Sequence, residues 1–302
     1  MKHIPAQRPL APKGPRGMAF RPLFAALALP LALSAGCTPA DTSEESAGPA
    51  SHVSAQPLFT NGDFEEGSLN GWSVTTHINN GITVPPGSVA DLKLATGGTA
   101  RTYARESAGG PESGIPAGLT AAESLRWPRY GNWAAVVNEL GSSRNVNSLV
   151  QSATLTSADV DPADNKVHVR FALAPVFQNP GHSASQQPYL YVTLRNVTRD
   201  LVLWSTFNFA DQPGVPWKTA GNGIQYTDWQ AIDVAPGDAA LAVGDTVELE
   251  VIAAGCSQGG HWGHVYVDGF GAFLPGLSIA ASAPQSANTD SDLTYTYLVK
   301  NS

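Results

Sequence analysis

Cysteine is scarce in this 302-residue chain, with Cys37 and Cys256 its two copies. No second thiol lies beyond Cys37 to pair with Cys256, so no intramolecular disulfide framework is available there and a packed core must supply stability. Basic residues are also few, 17 against 25 acidic ones. Five of the 17 (Lys2, Arg8, Lys13, Arg16 and Arg21) precede Cys37, where no acid occurs, leaving twelve bases against 25 acids and a net charge of −13 after Cys37. That excess repels phosphate backbones and argues against a nucleic-acid partner. The chain lacks a Gly-x-Ser-x-Gly elbow, a His-Glu-x-x-His pair and a Gly-rich phosphate loop, so no enzymatic chemistry is expected. Sustained 3.6-residue periodicity is missing too, which excludes a helical domain; the one helix expected is a short one near Ala121 to Arg126.

What is present begins with an address. The apolar run Leu23 to Leu33, preceded by Arg16 and Arg21, is far shorter than the ~20 residues of a spanning helix and reads as a secretion signal. It ends in Leu33-Ser34-Ala35-Gly36-Cys37, which resembles the lipobox of bacterial lipoproteins, although the usual Leu at the third position before the cysteine is Ser34 here. The resemblance implies palmitate-type acylation of Cys37, cleavage of residues 1–36, and attachment to a membrane through the lipid. Read from Met18, the signal has ordinary proportions, so residues 1–17 are expected to lie before the true start. Thr38 replaces the Asp that holds such proteins in the inner membrane, which points to the outer membrane or cell surface. Residues 37–56 are rich in Ser, Glu, Gly and Pro and form the expected disordered tether.

From Leu58 the texture becomes β. In Lys166 to Phe177 the residues Val167, Val169, Phe171 and Leu173 alternate with His168 and Arg170; in Asp245 to Ile252, Val247, Leu249 and Val251 alternate with Thr246, Glu248 and Glu250. Further strands are predicted at Gly71 to Ile78, Val89 to Leu94, Trp133 to Leu140, Leu149 to Leu155, Tyr189 to Val197, Leu201 to Phe209, Trp229 to Val234 and Val265 to Phe273. About ten strands fit one all-β antiparallel sandwich over 57–275.

The two ends of that block carry a family signal. It opens with Leu58-Phe59-Thr60-Asn61-Gly62-Asp63-Phe64-Glu65 and Gly71-Trp72, and closes with His261-Trp262-Gly263-His264-Val265-Tyr266-Val267-Asp268-Gly269-Phe270. This resembles galactose-binding-like jelly rolls, in particular bacterial carbohydrate-binding modules. Asn61-Gly62 suits a left-handed turn, Phe64 and Trp72 plug the sandwich edge, and Val265 and Val267 point inward while Tyr266 and Asp268 point outward. The resemblance further implies a structural calcium ion where the ends meet, with Glu65 and Asp268 as ligands and Asp63 or Asn61 as helpers, since calcium takes six to eight oxygens.

Other reactive residues read more plainly. His261 and His264 stand three apart, on opposite faces of a strand, and cannot offer two nitrogens to one metal. Asp159, Asp161 and Asp164 cap turns in a Pro-containing loop, and Cys256 is a small buried hydrophobe. Outward rings are the binding feature to look for, because an aromatic face covers the apolar C–H face of a sugar. Alternation places Tyr189, Tyr191 and Arg195 outward on one strand and Trp204 outward on the next, a candidate glycan platform if the strands pair; the alternative is that these rings lie under a loop such as Asp211 to Gly223.

Residues 276–302 restart the pattern with Leu277 to Pro284 and Leu293 to Asn301, which resembles the first strands of an immunoglobulin-like bacterial surface repeat. Such a short piece cannot close a sandwich of about 100 residues, so either the chain continues into a longer protein, which is the expectation, or these strands pair on a neighbour or stay frayed. The function expected is a non-catalytic cell-surface lipoprotein that binds polysaccharide or adheres. The alternative is a structural or assembly component contacting envelope proteins, with a similarity to gliding-motility-associated surface proteins through Val89 to Leu94 and Arg126 to Trp133. A glycoside-active enzyme accessory is the third reading.

Overall fold

A computed structural model describes residues 58–111, 115, 125–138, 141, 143–272, 277–282 and 296–301. All belong to the second of two compact units, Val53–Ser302. Cys37, the signal, the tether and most of Ala121 to Arg126 lie outside the described residues.

The strands are β1 (Ser73–Asn79), β2 (Leu94–Thr96), β3 (Tyr103–Glu106), β4 (Trp133–Val137), β5 (Asn145–Thr154), β6 (Val160–Asp161), β7 (Lys166–Val167), β8 (Val169–Gln178), β9 (Tyr189–Asn196), β10 (Leu201–Phe209), β11 (Lys218–Thr219), β12 (Ile224–Tyr226), β13 (Gln230–Val234), β14 (Thr246–Ala254), β15 (Gly263–Gly271), β16 (Leu277–Ser282) and β17 (Thr296–Asn301). No α-helix occurs among the described residues. One sheet runs β10-β9-β14-β5-β1-β2; the other runs β11-β12-β8-β15-β4-β3, with β13 also on β8. Every pairing is antiparallel. The chain crosses between the two sheets at β2–β3, β4–β5, β5–β8 (by way of β6 and β7), β8–β9, β10–β11, β13–β14 and β14–β15, so the predicted all-β antiparallel sandwich is the fold observed. β16 and β17 form a separate two-stranded antiparallel pair, Leu277 opposite Asn301.

The core lies between the sheets. Leu190, Val192 and Leu194 of β9 and Leu249, Val251 and Ala253 of β14 meet Phe171, Leu173 and Phe177 of β8 and Val265 and Val267 of β15, all buried. Period-2 alternation dictates this, because each strand offers every second side chain to one face. The outer faces are not simply solvated, since apolar clusters cover part of each. One prediction fails: Val89 to Leu94 is not a strand. Val89–Leu92 is a short 3₁₀ turn with a reciprocal Ser88–Asp91 capping box, and β2 begins only at Leu94.

The opening segment is pinned to the closing strand. The Gln151 side chain accepts from Thr60 N at 2.7 Å and donates to Thr60 O at 3.0 Å, and Phe270 N donates to Gly62 O at 2.9 Å. The left-handed residues of this turn are Asn61 (φ 48°) and Phe64 (φ 59°) rather than Gly62. Gly62 is required for a different reason, because a Cβ there would run into the Phe270 carbonyl. The plugs are not confined to the edge either: Phe59, Phe64, Trp72, Phe171 and Phe270 make one aromatic knot inside the main core.

Candidate functional site

The four residues of the expected glycan platform do not share a surface. β9 and β10 pair as anticipated, but the register shifts between Val202 and Trp204, so Val202 faces Arg195 and Trp204 faces Leu194. Leu203 is the extra residue of a bulge, and a one-residue slip exchanges the faces of everything beyond it. Trp204 is thereby turned inward, edge-on to Phe171 at 5.5 Å. In its place Phe207 and Phe209 join Tyr189 and Tyr191 on the outer face. That face is closed by Ile82, Val89, Leu92 and Leu94, so Tyr189 and Tyr191 are buried under the loop before β2, not under Asp211 to Gly223. Burial raises the pKa of the Tyr189 hydroxyl, which has no hydrogen-bond partner among the described residues. Arg195 alone is exposed, and it pairs with Asp200 at 2.7 Å.

The predicted calcium ligands occupy the junction of the two chain ends. Asp268 is fully buried, and its Oδ2 accepts from Tyr130 N at 2.8 Å while Oδ1 has no partner among the described residues. Burial, and then the charges of Glu65 and Asp63, push its pKa well above the ordinary carboxylate range. Glu65 Oε1 accepts from Asn132 N and Trp133 N at 2.7 and 2.8 Å, and Gly131 sits so close that a Cβ there would strike the same carboxylate. Asp63 Oδ1 accepts from Glu65 N at 3.3 Å. Asn61 serves the turn instead, its side chain bonding Ser68 O and Glu66 N. A buried carboxylate with an unpaired oxygen is costly, and two further acids beside it make an all-oxygen set of the hardness calcium takes. The three carboxylates do not converge to within 4.8 Å of one another, so holding an ion here would require their side chains to move together.

A third arrangement was not anticipated as a site. On the outer face of the second sheet, alternation along β15 aligns His264, Tyr266 and Asp268, with Trp262 just before the strand continuing the line. Trp262 stacks on His264 at 5.1 Å and 10°, His264 lies 4.8 Å from Tyr266, and Tyr266 meets Trp127 edge-on at 4.5 Å. Trp127 in turn stacks on Trp229 at 6.3 Å and 25°. The result is a row of five rings in which Tyr266 and His264 form a buried floor and Trp127, Trp229 and Trp262 stand half-exposed. Two of the indoles are held by their own N–H groups, Trp127 Nε1 donating to Glu106 O at 3.2 Å and Trp229 Nε1 to Arg126 O at 2.6 Å. Gln178 ends β8 beside Trp262, whose carbonyl accepts from Gln178 N at 3.0 Å; its Oε1 and both His264 nitrogens lack hydrogen-bond partners among the described residues. Burial, with a smaller contribution from Arg105, pushes the His264 pKa down to about 3, so the ring is neutral at physiological pH. The outward setting of Tyr266 was legible in the alternation; the arrival of Trp127 and Trp229 from loops over 35 residues away in sequence was not.

The remaining acids behave structurally. Asp159 closes a capping box with Thr156, while Asp161 and Asp164 accept from Ala163 N and Lys166 N and also pair with Arg170 and His168.

No protein-family model matches the chain, and no curated protein matches it. Solved structures give remote likenesses. The enzymatically active domain of bacteriophage CBA120 tailspike protein 4 is 10% identical with a TM-score of 0.31, over 71% of this chain and 21% of that one. A carbohydrate-binding module described as from the beta-sandwich superfamily is 13% identical with a TM-score of 0.30, over 69% of this chain and 59% of that one. A Caldicellulosiruptor saccharolyticus CBM27-1 module in complex with mannohexaose is 12% identical with a TM-score of 0.28, over 57% of this chain and 96% of that one. This chain thus spans about a fifth of the tailspike domain and under two thirds of the second structure.

Proposed function

We propose that this chain is a non-catalytic, lipid-anchored surface protein whose sandwich binds polysaccharide on the outer face of its second sheet. The observation that carries the reading is the five-ring row, whose partly buried indoles are Trp262 at one end and Trp127 and Trp229 at the other. Indole faces cover the apolar side of a pyranose, and a few convergent polar groups orient its hydroxyls. Cys37, through its lipobox-like context, supplies the anchor, and residues 37–56 hold the sandwich away from the membrane.

A glycan array and affinity electrophoresis on soluble polysaccharides test this. Wild-type protein is expected to be retarded by at least one polysaccharide, and Trp127→Ala and Trp229→Ala each to weaken binding by about tenfold or more, near 1.4 kcal/mol, while Arg195→Ala leaves it unchanged. A blank array, or binding indifferent to both indoles, overturns the reading.

The second part of the proposal is a calcium ion bracing the junction of Glu65, Asp63 and Asp268. At a calcium concentration a hundredfold above its Kd, native-state binding stabilises by about 2.7 kcal/mol, and the melting temperature is expected to rise by about 5 to 10 °C over chelator-treated protein. Asp268→Asn is expected to abolish the rise. A melting temperature indifferent to calcium in the wild type contradicts it.

A further inference from the structure

We infer that His182, Cys256 and His261 form a zinc site that staples two loops of the sandwich together. One ligand atom from each residue lies within 4.8 Å of the others, and no other such group of three or more His, Cys, Asp or Glu residues is found among the described residues. The site is separate from the acidic junction, and none of its residues belongs to the aromatic row.

The spacing fits a tetrahedral ion. Cys256 Sγ and His261 Nδ1 are 3.7 Å apart. Zinc–sulfur and zinc–nitrogen bonds of ~2.3 and ~2.05 Å at a tetrahedral angle place the two donor atoms roughly 3.5 Å apart. That edge of the polyhedron is already formed. His182 completes the set: its ring stands 5.4 Å from the His261 ring at 79°, and its Nε2 is enclosed with no hydrogen-bond partner among the described residues. A pair at the 4.8 Å limit has to close by about 1.2 to 1.5 Å, a side-chain movement that a half-buried loop histidine can make.

The backbone presents these donors independently of any ion. His182 lies in the β8–β9 loop, where the Gln187 side chain donates to its carbonyl at 3.1 Å and Gly181, at φ +69°, makes the turn. Cys256 and His261 bracket the β14–β15 turn, with Cys256 N donating to His261 O at 2.9 Å. Gly255 is obligatory there, since a Cβ would collide with the Ser143 carbonyl. One main-chain bond, Ser257 N to Gln186 O at 3.1 Å, already joins the two loops.

The donor chemistry selects the ion. One thiolate and two imidazoles suit zinc and exclude calcium or magnesium, which want oxygen. Three protein ligands leave the fourth position for water or an incoming donor. A cleft of about 360 Å³ is lined by Ser185, Gln186, Ser257 and Gln258 from the same two loops, together with Asn80, Lys93 and Arg144. Zinc binding would therefore fix the wall of that cleft. The partners of His261 in this set are Cys256, five residues earlier, and His182, from another loop.

The test uses the full chain carrying Cys37→Ser, so that Cys256 is its one thiol, stripped of metal and held in excess calcium. Cobalt is added first as a visible probe, then displaced by zinc. The site predicts one equivalent of cobalt with a thiolate-to-metal charge-transfer band and tetrahedral d–d absorption, both removed by one equivalent of zinc. Cys256→Ser is expected to abolish the charge-transfer band, and His182→Ala and His261→Ala each to weaken zinc binding by about tenfold or more. His182→Ala changes a surface loop, so it remains a decisive variant even if Cys256→Ser fails to fold. Cobalt bound without a thiolate band, no stoichiometric binding, or an unchanged zinc affinity in His182→Ala overturns the inference.

Discussion

Replacing Phe270 by Ala is expected to cost about 3 to 5 kcal/mol of folding stability, a loss at the top of the range for a single core truncation. Phe270 is 2% exposed and is the hub at which the opening segment meets the sandwich. Its ring lies 4.8 Å from Trp72, 5.4 Å from Phe171, 5.9 Å from Phe64 and 6.4 Å from Phe59. Truncation would leave a cavity walled by four rigid rings, and rings pinned by backbone contacts such as Trp72 Nε1 to Asn61 O cannot collapse into it. Since domains of this size have a total stability of about 5 to 15 kcal/mol, the variant would lose about a fifth or more of its margin. Urea unfolding is the measurement. A loss below about 1 kcal/mol would mean that these rings cap the edge of the sandwich rather than fill its core. Phe270→Leu should restore part of the loss, because it retains most of the apolar volume.

Acid should unfold the protein partly through one histidine. His264 is fully buried, its pKa pushed down to about 3 chiefly by burial, against about 6.5 in an unfolded chain. Between those values the unfolded state binds a proton that the native state does not, so stability rises with pH and is lost as pH falls from about 6.5 toward 3. The slope from this group alone is about 1.4 kcal/mol per pH unit inside the window. Asp161, Asp164 and Asp245, all held below the ordinary carboxylate range, add losses of the same sign but only near and below pH 4. Asp268 and Glu250, both raised, and His261, lowered, also change protonation above pH 4, so the His264 contribution is read as the difference in slope between wild type and a His264 variant at pH 4.5 to 6. His264→Phe keeps a ring on the Trp262–Tyr266 stack and removes two buried nitrogens without partners, so it should flatten the slope in that interval and cost little at pH 7. Parallel slopes for the two proteins would refute the assignment.

Much of this fold was readable from alternation alone, because a strand such as β14, half-buried along its first five residues, must place every second residue inward. The ends were readable as well: Val265 and Val267 do point inward, and Asp268 does meet the Glu65 segment. Alternation fails wherever the backbone breaks its own period. The bulge at Leu203 turns Trp204 into the core, and nothing in the run Leu201 to Phe209 marks which residue is the extra one. Exposure also depends on what crosses above a strand. Tyr189 and Tyr191 face outward as alternation requires, yet Ile82 and Leu92, about 100 residues earlier, bury them. The candidate binding face was hidden for the same reason in reverse. Trp127 and Trp229 lie in irregular segments with no period to read, and only the tertiary fold sets them against Tyr266. The Cys256 thiol was correctly placed inside, but its histidine neighbours come from turn geometry that spacing does not encode.

The seven tryptophans offer a direct test of the binding face. Trp72, Trp133, Trp204 and Trp217 pack against the core between the sheets, whereas Trp127, Trp229 and Trp262 belong to the outer row. Each indole N–H gives its own cross-peak in a proton–nitrogen correlation spectrum of labelled protein. Titration with an oligosaccharide of the polysaccharide that retards the protein should shift the cross-peaks of Trp127, Trp229 and Trp262 and leave the other four in place. Movement of the core four alone, or no movement of Trp127 and Trp229 at saturating sugar, would contradict the account.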